Sequence, residues 1–257
     1  MSVLGLPEPP GWRGGRRFLV VIGTVGIVVA VGLACLGVAA VGRGSYLTAV
    51  VFIGLALVWL LAMTAIALAG SGRTTARTTS DATGFTVWPD RRFTIICLVS
   101  TVPAILSCLP LAVFGPFGVI DMPDSRYLRG VIPGLAGFAA FTTILSLVTA
   151  WRRKGIGHVK LTPSVVENAD ILKVRVFDWD DVVDVADHAE SKKARRAVVL
   201  RMRDGHEEII TIADIYLPRG AALYWLVRHY WRHPEDRAEL VDGRAAERLR
   251  DGRFDLE

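Results

Sequence analysis

Two histidines, His229 and His233, stand four residues apart in "LVRHYWRHPEDRAEL", residues 226–240. On a helix this spacing puts both imidazoles on one face, as a zinc site requires. A catalytic zinc would add a third ligand and a nearby glutamate base. Residue 230 is Tyr where a zinc-protease motif has Glu. The pair also lies just before Pro234, where a helix must stop, and a cationic histidine is favourable at a helix C-terminus. The two are therefore read as residues bordering a helix end, with His188 and His206 as the remaining strand-borne donors. A second chemically capable group is the acidic run Asp178, Asp180, Asp181, Asp184 and Asp187. It lacks the glycine and terminal glutamate of a calcium loop and reads as a solvent face of strands. No Walker loop, dinucleotide fingerprint, nucleophile elbow or His-Glu-x-x-His segment occurs. The reading is a non-enzyme with no catalytic residue, no metal and no cofactor.

The elements that would position such residues divide the 257-residue chain near residue 150. Residues 1–150 hold ten Arg, no Lys and five acids, whereas 151–257 hold twenty Lys/Arg and twenty acids. The net charge of +5 thus belongs to the apolar half. A nucleic-acid partner, which needs a basic patch on a folded domain, is not expected. Cys35, Cys97 and Cys108 fall in apolar runs and read as small buried hydrophobes.

Four stretches reach the roughly 20 apolar residues that a bilayer crossing needs. They are Phe18–Val41, Tyr46–Ala69, Phe93–Phe117 and Gly130–Ala150, and none contains an Asp, Glu, Lys, Arg or His. The first is too long for a signal core and is read as an uncleaved helix. Ten basic residues (Arg13, Arg16, Arg17, Arg73, Arg77, Arg91, Arg92, Arg152, Arg153, Lys154) fall on one side and three (Arg43, Arg126, Arg129) on the other. The positive-inside rule then places both termini in the cytoplasm, in the inner (plasma) membrane, with the helices in two hairpins. Gly26, Ala30 and Ala34, and Gly130 and Gly134, form small-xxx-small faces for close helix packing. The inner loop, residues 70–92, is Thr/Gly/Arg-rich and reads as mostly irregular, with "FTVW" able to form a short strand.

Beyond residue 155 the texture becomes β-like. "HVKLT", "SVVEN", "LKVRVF", "VVDVADH", "RRAVVLRM" and "EIITI" read as about six strands. "LKVRVF" alternates, with Leu172, Val174 and Val176 on one side and Lys173 and Arg175 on the other. Asp204-Gly205 is a hairpin turn. A helix is expected after Leu217-Pro218, with Leu223, Leu226, Val227 and Tyr230 in one stripe, ended by Pro234. Residues 235–257 read as a polar tail with a short helix near Ala245–Arg250 and a mobile end.

The stretch "VKLTPSVVEN…VRVFDWDDVVDV…AVVLRMRDG", followed by "LYWLVRHYWRHPEDRAEL", resembles the pleckstrin-homology-like (PH-like) domains of uncharacterised bacterial membrane proteins. The resemblance covers 155–234 and is clearest at "FDWDDVVDV", with Trp179 and the Val182/Val183 pair. It implies four transmembrane helices followed by a small cytoplasmic PH-like β-barrel capped by a C-terminal helix, with Trp179, Val182, Leu226 and Tyr230 as structural residues. The first hairpin turn, "TPS", lacks the long basic loop of phosphoinositide-binding members, so that headgroup recognition is not implied. Lys192, Lys193, Arg195 and Arg196 form a later basic cluster, read first as a solvated loop and alternatively as a contact for anionic lipid or an acidic protein partner. The function so implied is a membrane-anchored module that binds a protein, peptide or lipid at the cytoplasmic face. The alternative is a transport or channel subunit with a regulatory domain.

Overall fold

The computed structural model describes residues 6–12, 15–121, 125–153, 155–171, 173–191 and 196–255. The chain divides into two compact units. A helical unit holds Phe18–Ala67 and Ile95–Lys154, and a β unit holds Met1–Arg17, Leu68–Thr94 and Gly155–Glu257.

The helical unit is built on α1 (Gly15–Gly42), α2 (Tyr46–Gly70), α3 (Arg91–Phe114) and α4 (Arg126–Arg152). All four are long and apolar enough to cross a membrane. They are apolar around their whole circumference, so propensity and length, not an amphipathic stripe, define them. Val51, Leu111, Ile120 and Ala136 pack together inside. Pro103 lies within α3, and its carbonyl accepts the hydroxyl of the buried Ser107 at 2.7 Å. Helix contacts close where a glycine removes the side chain. A Cβ on Gly54 would fall 2.0 Å from Ser107 Oγ, and one on Gly37 would fall 2.6 Å from Ile53 Cγ1. Gly130 and Gly134 meet nothing within 4 Å, so that small-residue face is not a packing face in this unit. Cys35 is exposed, not buried, on the apolar surface of α1. Between α1 and α2, Arg43 pairs with Asp121 at 3.2 Å, and the Asp121 N–H donates to Thr48 Oγ1 at 3.0 Å.

The sheets of the β unit start inside the inner loop. Arg77–Asp81 (β1) and Gly84–Trp88 (β2) form an antiparallel hairpin: β2 is the "FTVW" strand that the sequence allowed, and β1 lies in chain expected to be irregular. Asp81 Oδ1 accepts the N–H groups of Thr83 and Gly84 at 2.7 and 3.0 Å, which shapes the turn. Gly84 has φ 153°, and a Cβ there would lie 2.5 Å from the Leu161 carbonyl. The hairpin is ordered because β2 pairs with β3 (His158–Leu161), far along the chain. Phe85 and Val87 thereby enter the same core as Val159 and Leu161. With β4 (Val165–Ala169) and β5 (Val174–Asp178) they make a five-stranded sheet in the order β1-β2-β3-β4-β5. β6 (Val182–Ala186), β7 (Val198–Met202) and β8 (Glu207–Ile210) make a second sheet of three, with the Asp204-Gly205 turn between its last two strands.

Among the described residues no strand pairing joins the two sheets, so the expected closed barrel is not formed. Closure needs a continuous ladder. Here the chain leaves β5 through one helical turn, Trp179–Asp181, and β6 opens with a register irregularity between Val182 and Asp184. Side chains bridge the sheets instead. Asn168 Nδ2 and the Arg175 guanidinium both donate to the carboxylate of Glu208. β5 is exposed along most of its length: Val174 and Val176 are 43% and 55% exposed, the Arg175 side chain is 46% exposed although it reaches Glu208, and Phe177 packs against the core.

The helix α5 (Ala221–Arg232) follows β8. Its N-cap is Gly220, with φ 71°, so Pro218 lies ahead of the helix and not in its first turn. The remaining chain folds back as α6 (Glu239–Asp242) and α7 (Arg244–Asp251), with Phe254 packed against the core. The expected polar tail with a mobile end is thus integral to the unit as far as residue 255.

Candidate interaction surface

α5 is buried on nearly all sides. Ala221 through Val227, His229 and Tyr230 are all buried, so the one-stripe expectation understates what covers the helix. One face, with Leu223, Leu226 and Val227, joins the core of the sheets. Two further chain segments cover the rest.

The C-terminal segment covers the end of α5. His229 Nε2 lies 3.0 Å from Asp236 Oδ2, and the Tyr230 hydroxyl donates to Glu239 Oε2 at 3.2 Å. Arg248 donates to both Glu239 oxygens, at 2.6 and 2.7 Å, and to Asp236 at 3.1 Å. This bidentate pairing holds the Glu239 carboxyl below its usual range. His229 is shifted down, first by burial and then by the Arg248 guanidinium, against the pull of Asp236. Its Nδ1 is buried without a partner. His233 stacks on it at 4.8 Å between centroids and reaches Glu235 through Nδ1 at 3.1 Å. His188 pairs with Asp187 at 2.7 Å. Among the described residues no group of three His, Cys, Asp or Glu is gathered as a metal would need.

The N-terminal segment covers the other face. Leu6, Pro9 and Trp12 are buried, and the residues between them are exposed. The Trp225 indole N–H donates to the Pro7 carbonyl at 3.0 Å. The Trp12 indole N–H donates to the Asp187 carbonyl at 2.8 Å, and the Gly11 N–H donates to the Asp187 carboxylate at 2.7 Å. Burial alone would raise the Asp187 carboxyl, but the hydrogen bonds from His188 and Gly11 outweigh it and hold it low. Trp12 meets Tyr224 edge-on at 6.2 Å, and Tyr224 meets Trp225 edge-on at 5.1 Å. The Arg228 guanidinium lies over the Trp225 ring at 5.4 Å.

The residues singled out by sequence fall in several places. Lys192, Lys193 and Arg195 lie outside the described residues. Arg196 points inward: its side chain is 15% exposed and its guanidinium reaches Glu8 and Asp214, each at 3.0 Å. Trp179 is 2% exposed at the corner between the sheets, and its indole N–H donates to the Thr162 carbonyl at 2.8 Å. Arg237 lies over that ring at 5.0 Å. Val182, Leu226 and Tyr230 are buried, and Val183 is half exposed. Of the acidic run, Asp184 pairs with Arg201 at 3.3 Å and Asp187 holds the N-terminal segment. Sequence reasoning missed Trp12, Tyr224, Trp225 and Asp187 as one cluster. The signal was there in the three-residue spacing of Leu6, Pro9 and Trp12, which only a facing groove makes meaningful.

No protein-family model, curated protein or solved structure matches the chain.

Proposed function

We propose a non-enzymatic multi-pass membrane protein that holds a PH-like interaction module at the cytoplasmic face of the inner (plasma) membrane. The observation that carries the reading is the order of elements in the β unit. An antiparallel sheet turns at Trp179 into a second antiparallel sheet, and a helix follows that packs on both. The four apolar helices and the excess of arginine in the segments that flank the sheets support the stated orientation. Arg196 is engaged within the unit by Glu8 and Asp214, which favours a protein or peptide partner over a lipid headgroup at that residue. Crosslinking in intact membranes, with photoreactive residues at Val174, Val183 and Arg228, should yield a specific protein adduct through the β unit. A reporter active only in the cytoplasm should give signal when fused at residue 80 or 257 and none at residue 44. Adducts confined to the helical unit, or the reverse reporter pattern, would overturn the reading.

A further inference from the structure

Residues 6–12, LPEPPGW, occupy the groove of Tyr224, Trp225 and Asp187 in a particular way. Burial falls on every third residue, Leu6, Pro9 and Trp12. A polyproline II chain has three residues per turn, so such a chain presents every third side chain to one surface. Residues 10–12 continue as a turn of 3₁₀ helix, which keeps that period. The groove supplies what such a chain needs. Polyproline segments have carbonyls with no internal partner, and they dock on aromatic side chains. Here Trp225 donates to the Pro7 carbonyl at 3.0 Å, and Tyr224 and Trp225 form the aromatic floor. Arg196 adds charge selection by meeting Glu8 at 3.0 Å. Gly11 is fixed by close approach, since a Cβ there would lie 2.7 Å from Asp187 Oδ1.

We infer that this groove is a recognition site for a proline-rich extended peptide of a partner protein, and that the chain's own N-terminal segment occupies it as a competing ligand in cis. The inference rests on the reading of the β unit as an interaction module and names its ligand class: an acidic polyproline II segment with an apolar residue at every third position. The cis segment is linked through Arg13 and Gly14 to α1, so it competes at an effective concentration of about millimolar. A partner peptide therefore gains access when the N-terminal segment is drawn away.

The test uses the whole chain in detergent micelles and a fluorescein-labelled peptide LPEPPGW as probe. Three chains are compared: the parent, a deletion of residues 2–12, and the full chain carrying Trp12→Ala. Folding of each is checked by cooperative melting in far-UV circular dichroism. Fluorescence anisotropy should give at least tenfold tighter peptide binding to the deletion chain than to the parent. Trp12→Ala should show a gain in the same direction, and it decides the matter alone if the deletion does not fold. Adding Trp225→Phe to whichever chain binds should weaken binding about fivefold to tenfold, the value of one net hydrogen bond. A peptide with Pro7, Pro9 and Pro10 replaced by alanine should bind at least tenfold more weakly. Absence of binding to both altered chains, or equal binding of the alanine peptide, overturns the inference and leaves the segment as a covalent staple. A parent chain that elutes as a dimer, and as a monomer once residues 2–12 are removed, also overturns it, because the occupant is then a second copy's N-terminus. Protein adducts through the β unit in the crosslinking experiment, together with a failed peptide titration, would remove only this groove and leave the module reading intact.

Discussion

Asp90 accepts both the backbone N–H and the hydroxyl of Thr75 on one carboxylate oxygen, at 2.6 and 2.7 Å. Its other oxygen accepts the N–H groups of Arg92 and Phe93 at 2.6 and 3.2 Å and so caps the start of α3. Its own N–H donates to the Ile215 carbonyl at 2.8 Å. One buried residue therefore ties together the entry to the β1–β2 hairpin and the start of a long helix through its side chain, and the approach to α5 through its backbone N–H.

Asp90→Ala removes the cap and leaves buried donors unpaired. The expected cost is about 2–4 kcal/mol, read as a fall in the melting temperature of the whole chain. Burial alone would raise this carboxyl, but the hydrogen bonds from Thr75, Phe93 and Arg92 hold it below its ordinary value of 3.8. A carboxylate depressed in the folded state binds fewer protons there than in the unfolded chain. Its stabilisation is full above about pH 4 and is lost as pH falls through the lower folded value. Asp90→Asn should flatten that acid limb. An unchanged slope would mean that another carboxylate controls it.

Trp179→Ala should cost about 3–5 kcal/mol, because a buried tryptophan leaves a cavity at the corner between the sheets. A domain has only about 5–15 kcal/mol in total. The variant should melt far below the parent or fail to fold. A melting temperature within a degree or so of the parent would contradict the packing described for Trp179.

His229 makes the β unit less stable in mild acid. Its folded pKa lies below the ordinary 6.5, first through burial, then through Arg248. The unfolded chain takes up the proton first, so stability is full above about pH 6.5 and declines as pH falls toward the lower folded value. Groups facing the ring are His233, Asp236, Arg248, Tyr230 and Phe254. The melting temperature should drop between pH 7.5 and 5.5, and His229→Gln should reduce that drop. If His233→Gln reduces it and His229→Gln does not, the assignment fails. A chelator should leave the melting temperature unchanged, since carboxylates engage His229 Nε2 and His233 Nδ1.

Glu208 and Arg175 predict an asymmetry. Glu208 is 1% exposed as a side chain and Arg175 is 46% exposed. Arg175→Ala leaves a buried carboxylate with Asn168 as its one side-chain partner among the described residues, at a cost of about 3 kcal/mol. Glu208→Gln keeps the shape and leaves Arg175 free to reach water, at a cost of about 1 kcal/mol. Denaturant midpoints measured on the pair would contradict the bridge between the sheets if the order were reversed.

Much of this architecture is legible in the sequence, and the failures share one cause. The four apolar runs and the six strands after residue 155 are local patterns, and both appear close to where composition and alternation put them. β2 falls on "FTVW", the short strand the sequence allowed, whereas its partner β1 was hidden because Thr78 and Thr79 look like loop composition and the strand that orders the hairpin lies far along the chain. The facing of β5 was hidden because alternation fixes two sides without saying which is inward. The structure packs Phe177 against the core, and Arg175 reaches the buried Glu208 while its own side chain stays 46% exposed. In the helical unit, Gly130 and Gly134 fit a packing motif but a Cβ on either would meet nothing within 4 Å, whereas Gly54 fits none and sits against Ser107. Small-residue spacing is too common in a Gly- and Ala-rich helix to single out the contact. The N-terminal groove shows only half a signature, the three-residue spacing of Leu6, Pro9 and Trp12, because its two halves are 218 positions apart at Pro7 and Trp225.

The pairing of β2 with β3 also sets a timetable for synthesis. Phe85 and Val87 leave the ribosome about 70 residues before the strand that covers them. At about 5–20 residues per second, that wait is roughly 4–14 s. Both later helices must be made during this interval, while a finished hairpin holds an apolar strand with an unpaired edge. Such an edge is a template for wrong pairing. A chain stalled or truncated between residues 90 and 155 would therefore be more aggregation-prone than one truncated before residue 70, although it contains more of the native structure.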